Sequence, residues 1–215
     1  MTLTPRHLRL YAVTDRAWAA DEDALFRQIE EAAAGGVRMV QLREKHLDRP
    51  ALLAEARRFT ALCRRLGVVS IINDDPEIAA AADADGVHVG QSDLGPGRAR
   101  AILGPGKIVG VSAHSPEEAL AAQAAGADYL GVGAAFATGT KADARPLSRE
   151  AIRAVTAAVR IPAVAIGGIT RENILKLKGL GLEGAAAVSA LFAQKDVRAA
   201  AEELLRLAEE MTRED

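Results

Sequence analysis

Cysteine is almost absent. Cys63 is the only one in 215 residues, so neither an internal disulfide nor a cysteine-based metal site can form. A thiol buried on a helix is the expected state. Aromatic residues are nearly as scarce, with one Trp, two Tyr and four Phe, which favours close packing of small side chains over a deep aromatic pocket. No apolar run approaches the roughly 18 residues of a membrane helix. Met1–Leu10 also lacks the apolar core of a secretion signal, so secretion is not expected. Neither sign of charge dominates: Lys and Arg total 27 against 29 Asp and Glu. No basic stripe interleaves with aromatics, so neither nucleic acid nor membrane is an expected partner. The reading is of a cytoplasmic globular chain, because 49% hydrophobic and 26% charged residues do not suit a disordered one.

Alanine is what the chain has in quantity, 46 residues. Short Val/Ile/Leu runs alternate with longer stretches of helical period. Strands are predicted over Leu8–Thr14, Met39–Arg43, Val68–Asn73, Gly86–Val89, Ile108–Ser112, Tyr129–Gly133, Ala163–Gly167 and Ala185–Ser189. Helices are predicted over Glu22–Ala34, Arg49–Leu66, Pro76–Ala82, Gly97–Leu103, Pro116–Ala125, Arg149–Val159, Arg171–Gly179 and Asp196–Glu210. Asp21, Ser115 and Ser148 are suited to cap helix starts, and Gly35-Gly36, Gly67 and Gly126 to end helices. Continuous apolar strands indicate burial on both faces, as in a parallel sheet covered by helices. The segment from Ala84 to Gly90 also resembles the segment from Ala127 to Gly133, as two βα modules would. No linker divides the chain. An open doubly wound sheet would carry a glycine-rich first turn, whereas this turn is Thr14-Asp15-Arg16. The expected fold is therefore α/β, a single (β/α)8 TIM barrel spanning residues 1–215, with about 27 residues per unit.

In such a barrel the chemistry lies where the strands end. Strand two ends Gln41-Leu42-Arg43-Glu44-Lys45, and a period of two puts Gln41, Arg43 and Lys45 on one side, Leu42 and Glu44 on the other. An amide and two cations make an anion clamp, although a surface salt-bridge cluster reads the same way. Strand three ends Asn73-Asp74 and strand four leads to Asp93, so two carboxylates reach the rim beside the cations. Mg²⁺ is commonly held by one or two carboxylates plus substrate phosphates. Asp75, before Pro76, reads as a helix cap, and His88 as either a satisfied core residue or part of the site. Strand five ends with Ser112. After strand six, Thr138-Gly139-Thr140-Lys141 lies in a long loop able to wrap a phosphate. Gly167-Gly168 and Val188-Ser189 end strands seven and eight, where barrels often bind phosphate through backbone amides. Two anion sites on one rim favour an enzyme that joins two phosphorylated pieces.

The strings Gln41–Lys45, Asn73-Asp74, Asp85–Leu94, Gly110–His114, Thr138–Lys141, Ile166–Ile169 and Val188–Ala190, in this order, resemble the thiamine-phosphate synthase family. The likeness spans Tyr11 to Leu191. It implies a transferase that couples hydroxymethylpyrimidine diphosphate to a thiazole phosphate, releasing diphosphate. By the resemblance, Gln41, Leu42, Arg43, Glu44, Lys45, Asn73, Ser112 and Lys141 bind the pyrimidine diphosphate, with Tyr11 and His88 bordering the ring. Arg43, Lys45, Ser112 and Lys141 serve the chemistry, and Asp74 and Asp93 hold Mg²⁺. Thr138, Gly139, Thr140, Gly168, Val188 and Ser189 bind the thiazole phosphate. The implied partners are these small phosphorylated substrates, with association into homo-oligomers left open.

The chain departs from the family in the loop after strand six. Ala134 and Ala137 stand where the family usually has prolines, so a less constrained loop is expected. Two other readings fit the residues less well. A thiazole tautomerase of the same fold typically lacks the paired carboxylates and the Thr-x-Thr-Lys pattern and carries a catalytic histidine where this chain has Ala134. A non-catalytic binder of phosphorylated ligands would have no use for Asp74 together with Asp93.

Overall fold

In the computed structural model, which describes residues 3–139 and 145–213, eight short strands pair in chain order through parallel ladders and close on themselves. They are β1 (Leu10–Val13), β2 (Met39–Leu42), β3 (Val69–Asn73), β4 (Gly86–Val89), β5 (Ile108–Ala113), β6 (Tyr129–Gly133), β7 (Ala163–Ile166) and β8 (Gly184–Ala187). Closure pairs Leu10 with Ala185. Around them lie α1 (Pro5–Leu8), α2 (Glu22–Ala34), α3 (Arg49–Leu66), α4 (Pro76–Ala81), α5 (Pro96–Leu103), α6 (Pro116–Ala124), α7 (Arg149–Ala158), α8 (Ser189–Phe192) and α9 (Val197–Met211).

The helix starts have the chemistry expected of them. Asp21, Asp48, Asp75, Ser115, Ser148 and Asp196 each accept a hydrogen bond from an amide of the following first turn. Helix α3 ends on Gly67 at φ 65°, the left-handed conformation that glycine takes without cost.

Strand side chains divide by the period of two. Leu10, Ala12, Val40, Leu42, Ile72, Val87, Val89, Val109 and Val111 pack outward against the helices, in the larger core with Phe59, Cys63 and Phe192. Tyr11, Val13, Met39, Val69, Ile71, Ile108, Tyr129, Val164 and Ala186 fill the interior. The internal repeat has a structural meaning. Asp85 and Asp128 hold equivalent places and each accepts from a backbone amide of the preceding strand, Ser70 at 2.9 Å and Val109 at 2.7 Å.

Three expectations need correction. Arg171–Gly179 is not an α-helix; only Ile174–Leu177 forms a 3₁₀ turn. The Asn173 side chain accepts from the Thr170 amide and donates to the Gly168 carbonyl, which competes with helix formation. Leu8 does not begin β1 but ends α1, which starts on Pro5 behind Thr4. Ser189 does not end β8; it opens the helical turn α8.

Candidate active site

The C-terminal ends of the strands carry a layered arrangement, with a buried polar chain below and charged groups at the rim. The chain begins at Gln41, 3% exposed, whose Nε2 donates to the Tyr11 hydroxyl at 2.6 Å. The Tyr11 and Tyr129 hydroxyls lie 3.0 Å apart. Tyr129 Oη is 2.9 Å from His88 Nδ1, and His88 Nε2 is 3.0 Å from Ser112 Oγ. Gly131, on β6, makes room for the imidazole: a Cβ there would lie 3.1 Å from His88 Cε1. Burial pushes the His88 pKa down to about 4, while the nearby Asp93 charge opposes that shift. Burial also pushes both tyrosine hydroxyls well above their ordinary value.

Above this chain the rim is charged. Asp74 follows β3 in the left-handed conformation at φ 65°, which Asp tolerates better than most residues. Its amide donates to the His88 carbonyl at 2.8 Å, and its carboxylate pairs with Lys45. Asp93 Oδ2 accepts from the Gly90 amide at 2.7 Å. Burial raises the Asp93 pKa, the Gly90 amide opposes this, and the Asp74 charge adds to it. The two carboxylates therefore sense each other across the rim. Among the described residues no group of three or more His, Cys, Asp or Glu could hold a metal. A pair of hard oxygen donors suits Mg²⁺, which keeps several sites for water and substrate phosphate.

Not every sequence-chosen residue turns toward this rim. Arg43 does, 3.9 Å from Asp15, with a backbone amide held by Thr14 Oγ1 at 3.0 Å. Asn73 ends β3 in register with His88, and its side chain has no hydrogen-bond partner among the described residues. Leu42 faces outward into the helix layer, as its place in the strand period requires. Glu44 is also turned away. Its carboxylate takes Arg16 Nε at 2.8 Å and the amides of Lys45 and His46. Burial alone would raise the Glu44 pKa, but these partners outweigh it and hold the carboxyl below its usual range. Glu44 thus braces the loop that carries Lys45. Arg16 extends the brace to Glu55 on α3 at 2.5 Å.

The opposite side of the rim is built from backbone. Gly168 has φ 64°, and a methyl group there would overlap the carbonyl oxygens of Ala137 and Phe136. The loop after β6 is stitched to the end of β7 by Ala135 N to Ile166 O at 2.8 Å and Phe136 N to Gly167 O at 3.0 Å. Gly139 is exposed and Thr138 half-buried; Thr140 and Lys141 lie outside the described residues. Val188 caps α8, and Ser189 is exposed as its first residue.

Tyr129 was not singled out from the sequence, since an aromatic opening a strand reads as core. The repeat held the signal. His88 and Tyr129 each align with a glycine of the other module, Gly131 and Gly86, so bulk and space alternate between the two strands.

Known proteins resemble this chain in sequence and in fold. The family model for thiamine monophosphate synthase matches residues 10–191. The chain is 46% identical over 198 residues to thiamine-phosphate synthase of Ruminiclostridium cellulolyticum, covering 92% of this chain and 94% of that protein. It is 47% identical over 200 residues to the Chloroflexus aurantiacus enzyme of the same name, covering 93% and 92%. The structure is similar to thiamine phosphate pyrophosphorylase of Pyrococcus furiosus, with TM-score 0.87, 36% identity, and coverage of 96% and 98%.

Proposed function

The chain belongs to the thiamine monophosphate synthase family and is a transferase, and from that premise we propose how its own residues carry out the coupling. The pyrimidine substrate sits with its ring toward Gln41, Tyr11 and His88 and its diphosphate against Arg43, Lys45, Asn73 and Ser112. The observation that carries this reading is the pair Asp74 and Asp93, facing each other beside Lys45 directly above the buried chain that ends at Ser112.

The chemistry is a displacement at carbon. The C–O bond to the diphosphate breaks, and a bond forms from the thiazole nitrogen to the same carbon. Negative charge grows on the leaving diphosphate, so cations and donors already fixed around it lower the barrier. Arg43 provides a planar fork and Lys45 a compact charge held in place by Asp74. Ser112 supplies a hydroxyl. Asp74 and Asp93 would hold a Mg²⁺ ion, which supplies further positive charge for the departing group when bound. By the family resemblance Lys141 and Thr140 act on the phosphates as well. The thiazole phosphate is held by Thr138, Gly139, Gly168, Val188 and Ser189, where the first amides of a helical turn have no internal acceptors. Holding both substrates on one rim aligns nucleophile and leaving group, and no covalent enzyme intermediate is required.

Incubation with both phosphorylated substrates, with and without Mg²⁺, tests the reading. Diphosphate release and thiamine phosphate formation that depend on the metal are expected. Absence of product with Mg²⁺ present would overturn it.

A further inference from the structure

We propose that Tyr129 is a positioning residue: it is the central link of a one-way hydrogen-bond chain, Gln41–Tyr11–Tyr129–His88–Ser112, that fixes the His88 tautomer and points the Ser112 hydroxyl hydrogen out of the barrel toward the substrate anion.

The direction follows from counting donors. The Gln41 amide nitrogen can only donate, so Tyr11 Oη accepts from it at 2.6 Å. The single Tyr11 hydroxyl hydrogen then goes to Tyr129 Oη at 3.0 Å. Tyr129 in turn has one hydrogen, and its remaining close partner is His88 Nδ1 at 2.9 Å. Nδ1 is therefore an acceptor, and the neutral imidazole carries its hydrogen on Nε2. That hydrogen goes to Ser112 Oγ at 3.0 Å. The Ser112 oxygen is satisfied from below, and its own hydrogen is left to point outward. A doubly protonated imidazole does not fit. It would send the Tyr129 hydrogen back to Tyr11, whose own hydrogen would then lack an acceptor.

A hydroxyl whose hydrogen is already aimed at the developing charge needs no reorientation during the reaction. Without Tyr129 Oη nothing holds Nδ1 as an acceptor. His88 can then take the other tautomer, accept the Ser112 hydrogen at Nε2, and turn it away from the substrate. Tyr129 acts here only through His88 and Ser112, and the consequence for catalysis rests on Ser112 facing the diphosphate.

The first measurement needs no substrate. Nitrogen-15 NMR of the imidazoles of the full chain should show His88 with hydrogen on Nε2 and a bare Nδ1, and Tyr129→Phe should mix the two tautomers. Hydrogen on Nδ1 in the unaltered protein would mean a chain running the other way, from a turned Gln41 amide, and would overturn the proposal. The second is a cycle of steady-state rates. Losing a donor aimed at developing charge costs about 10²–10³ in kcat, and losing only its orientation should cost less, about tenfold. Tyr129→Phe should therefore lower kcat about tenfold with little change in KM, and should have no further effect in a Ser112→Ala background. An equal loss in both backgrounds would make Tyr129 a packing residue and overturn the positioning role. A protein with the expected tautomer that turns over neither substrate would count against the reaction and leave the directed chain standing.

Discussion

The ring of Tyr129 lies across Gly110, its partner in the neighbouring strand, so closely that a methyl group on Gly110 would overlap Cζ, Cε1 and the hydroxyl. The ring cannot withdraw, because its hydroxyl is bound to both Tyr11 and His88. Gly110→Ala is therefore expected to destabilise the fold by about 1–3 kcal/mol or more, the usual cost of overfilling a packed interior. A urea midpoint lowered accordingly, together with a fall in kcat, checks this; an unchanged midpoint would mean that the barrel widens freely.

Asp93→Asn keeps an oxygen for the Gly90 amide but removes the charge facing Asp74. Metal-dependent turnover should fall by roughly 10²–10³, as when one strong electrostatic contact to developing charge is lost. The urea midpoint should barely move. Full activity at the same Mg²⁺ concentration would remove Asp93 from the metal site.

Arg16→Ala leaves Glu55, whose side chain is 3% exposed, without its partner. The expected cost is about 2–3 kcal/mol, below the roughly 3–5 kcal/mol of a fully buried pair because Arg16 itself is 28% exposed. Burial already raises the Glu55 pKa against the pull of Arg16, and the variant loses that pull. A carboxyl raised in the folded state destabilises the fold as pH rises above its unfolded value, near 4.3. The deficit should therefore shrink between pH 7 and pH 5 in paired denaturation curves.

The chain has two tyrosines, and both are buried with hydroxyls raised above their ordinary value. In the folded protein they keep their hydrogens while free tyrosine loses its own near pH 10. The unfolded state therefore binds fewer protons above pH 10, and stability falls as pH rises through that point. Tyrosinate absorbance should appear only together with loss of circular dichroism. A phenolate signal from the native protein below pH 11 would contradict the buried chain.

The barrel was legible in the sequence because strands buried on both faces read as unbroken apolar runs, and because Asp, Ser and Pro mark helix starts locally. The 3₁₀ turn at Ile174–Leu177 was not legible. It depends on where the Asn173 side chain bonds, which no periodicity reveals. At the site, strand-end positions located the charged rim, including Asp74, Asp93 and Lys45. The period of two also turned Glu44 away from Arg43 and Lys45, but its partner Arg16, which comes from a different loop, was not legible. Tyr129 escaped for a related reason: its meaning lies in two glycines, Gly110 on the neighbouring β5, which leaves room for its ring, and Gly131 on its own strand, which leaves room for His88.

The seam between β1 and β8 has a consequence for how the protein is made. Leu10 pairs with Ala185, and Gly184 lies against the carbonyls of Leu8 and Arg9, closer than any side chain would permit. These partners lie far apart in the sequence, with six other strands between them. A ribosome must therefore release β8 before β1 can acquire its second neighbour. Until then one edge of the nascent sheet stays open, and an open edge is a template for pairing with another molecule. The seam thus cannot close before β8 has been made, and until then the newborn chain carries an edge that another strand could occupy.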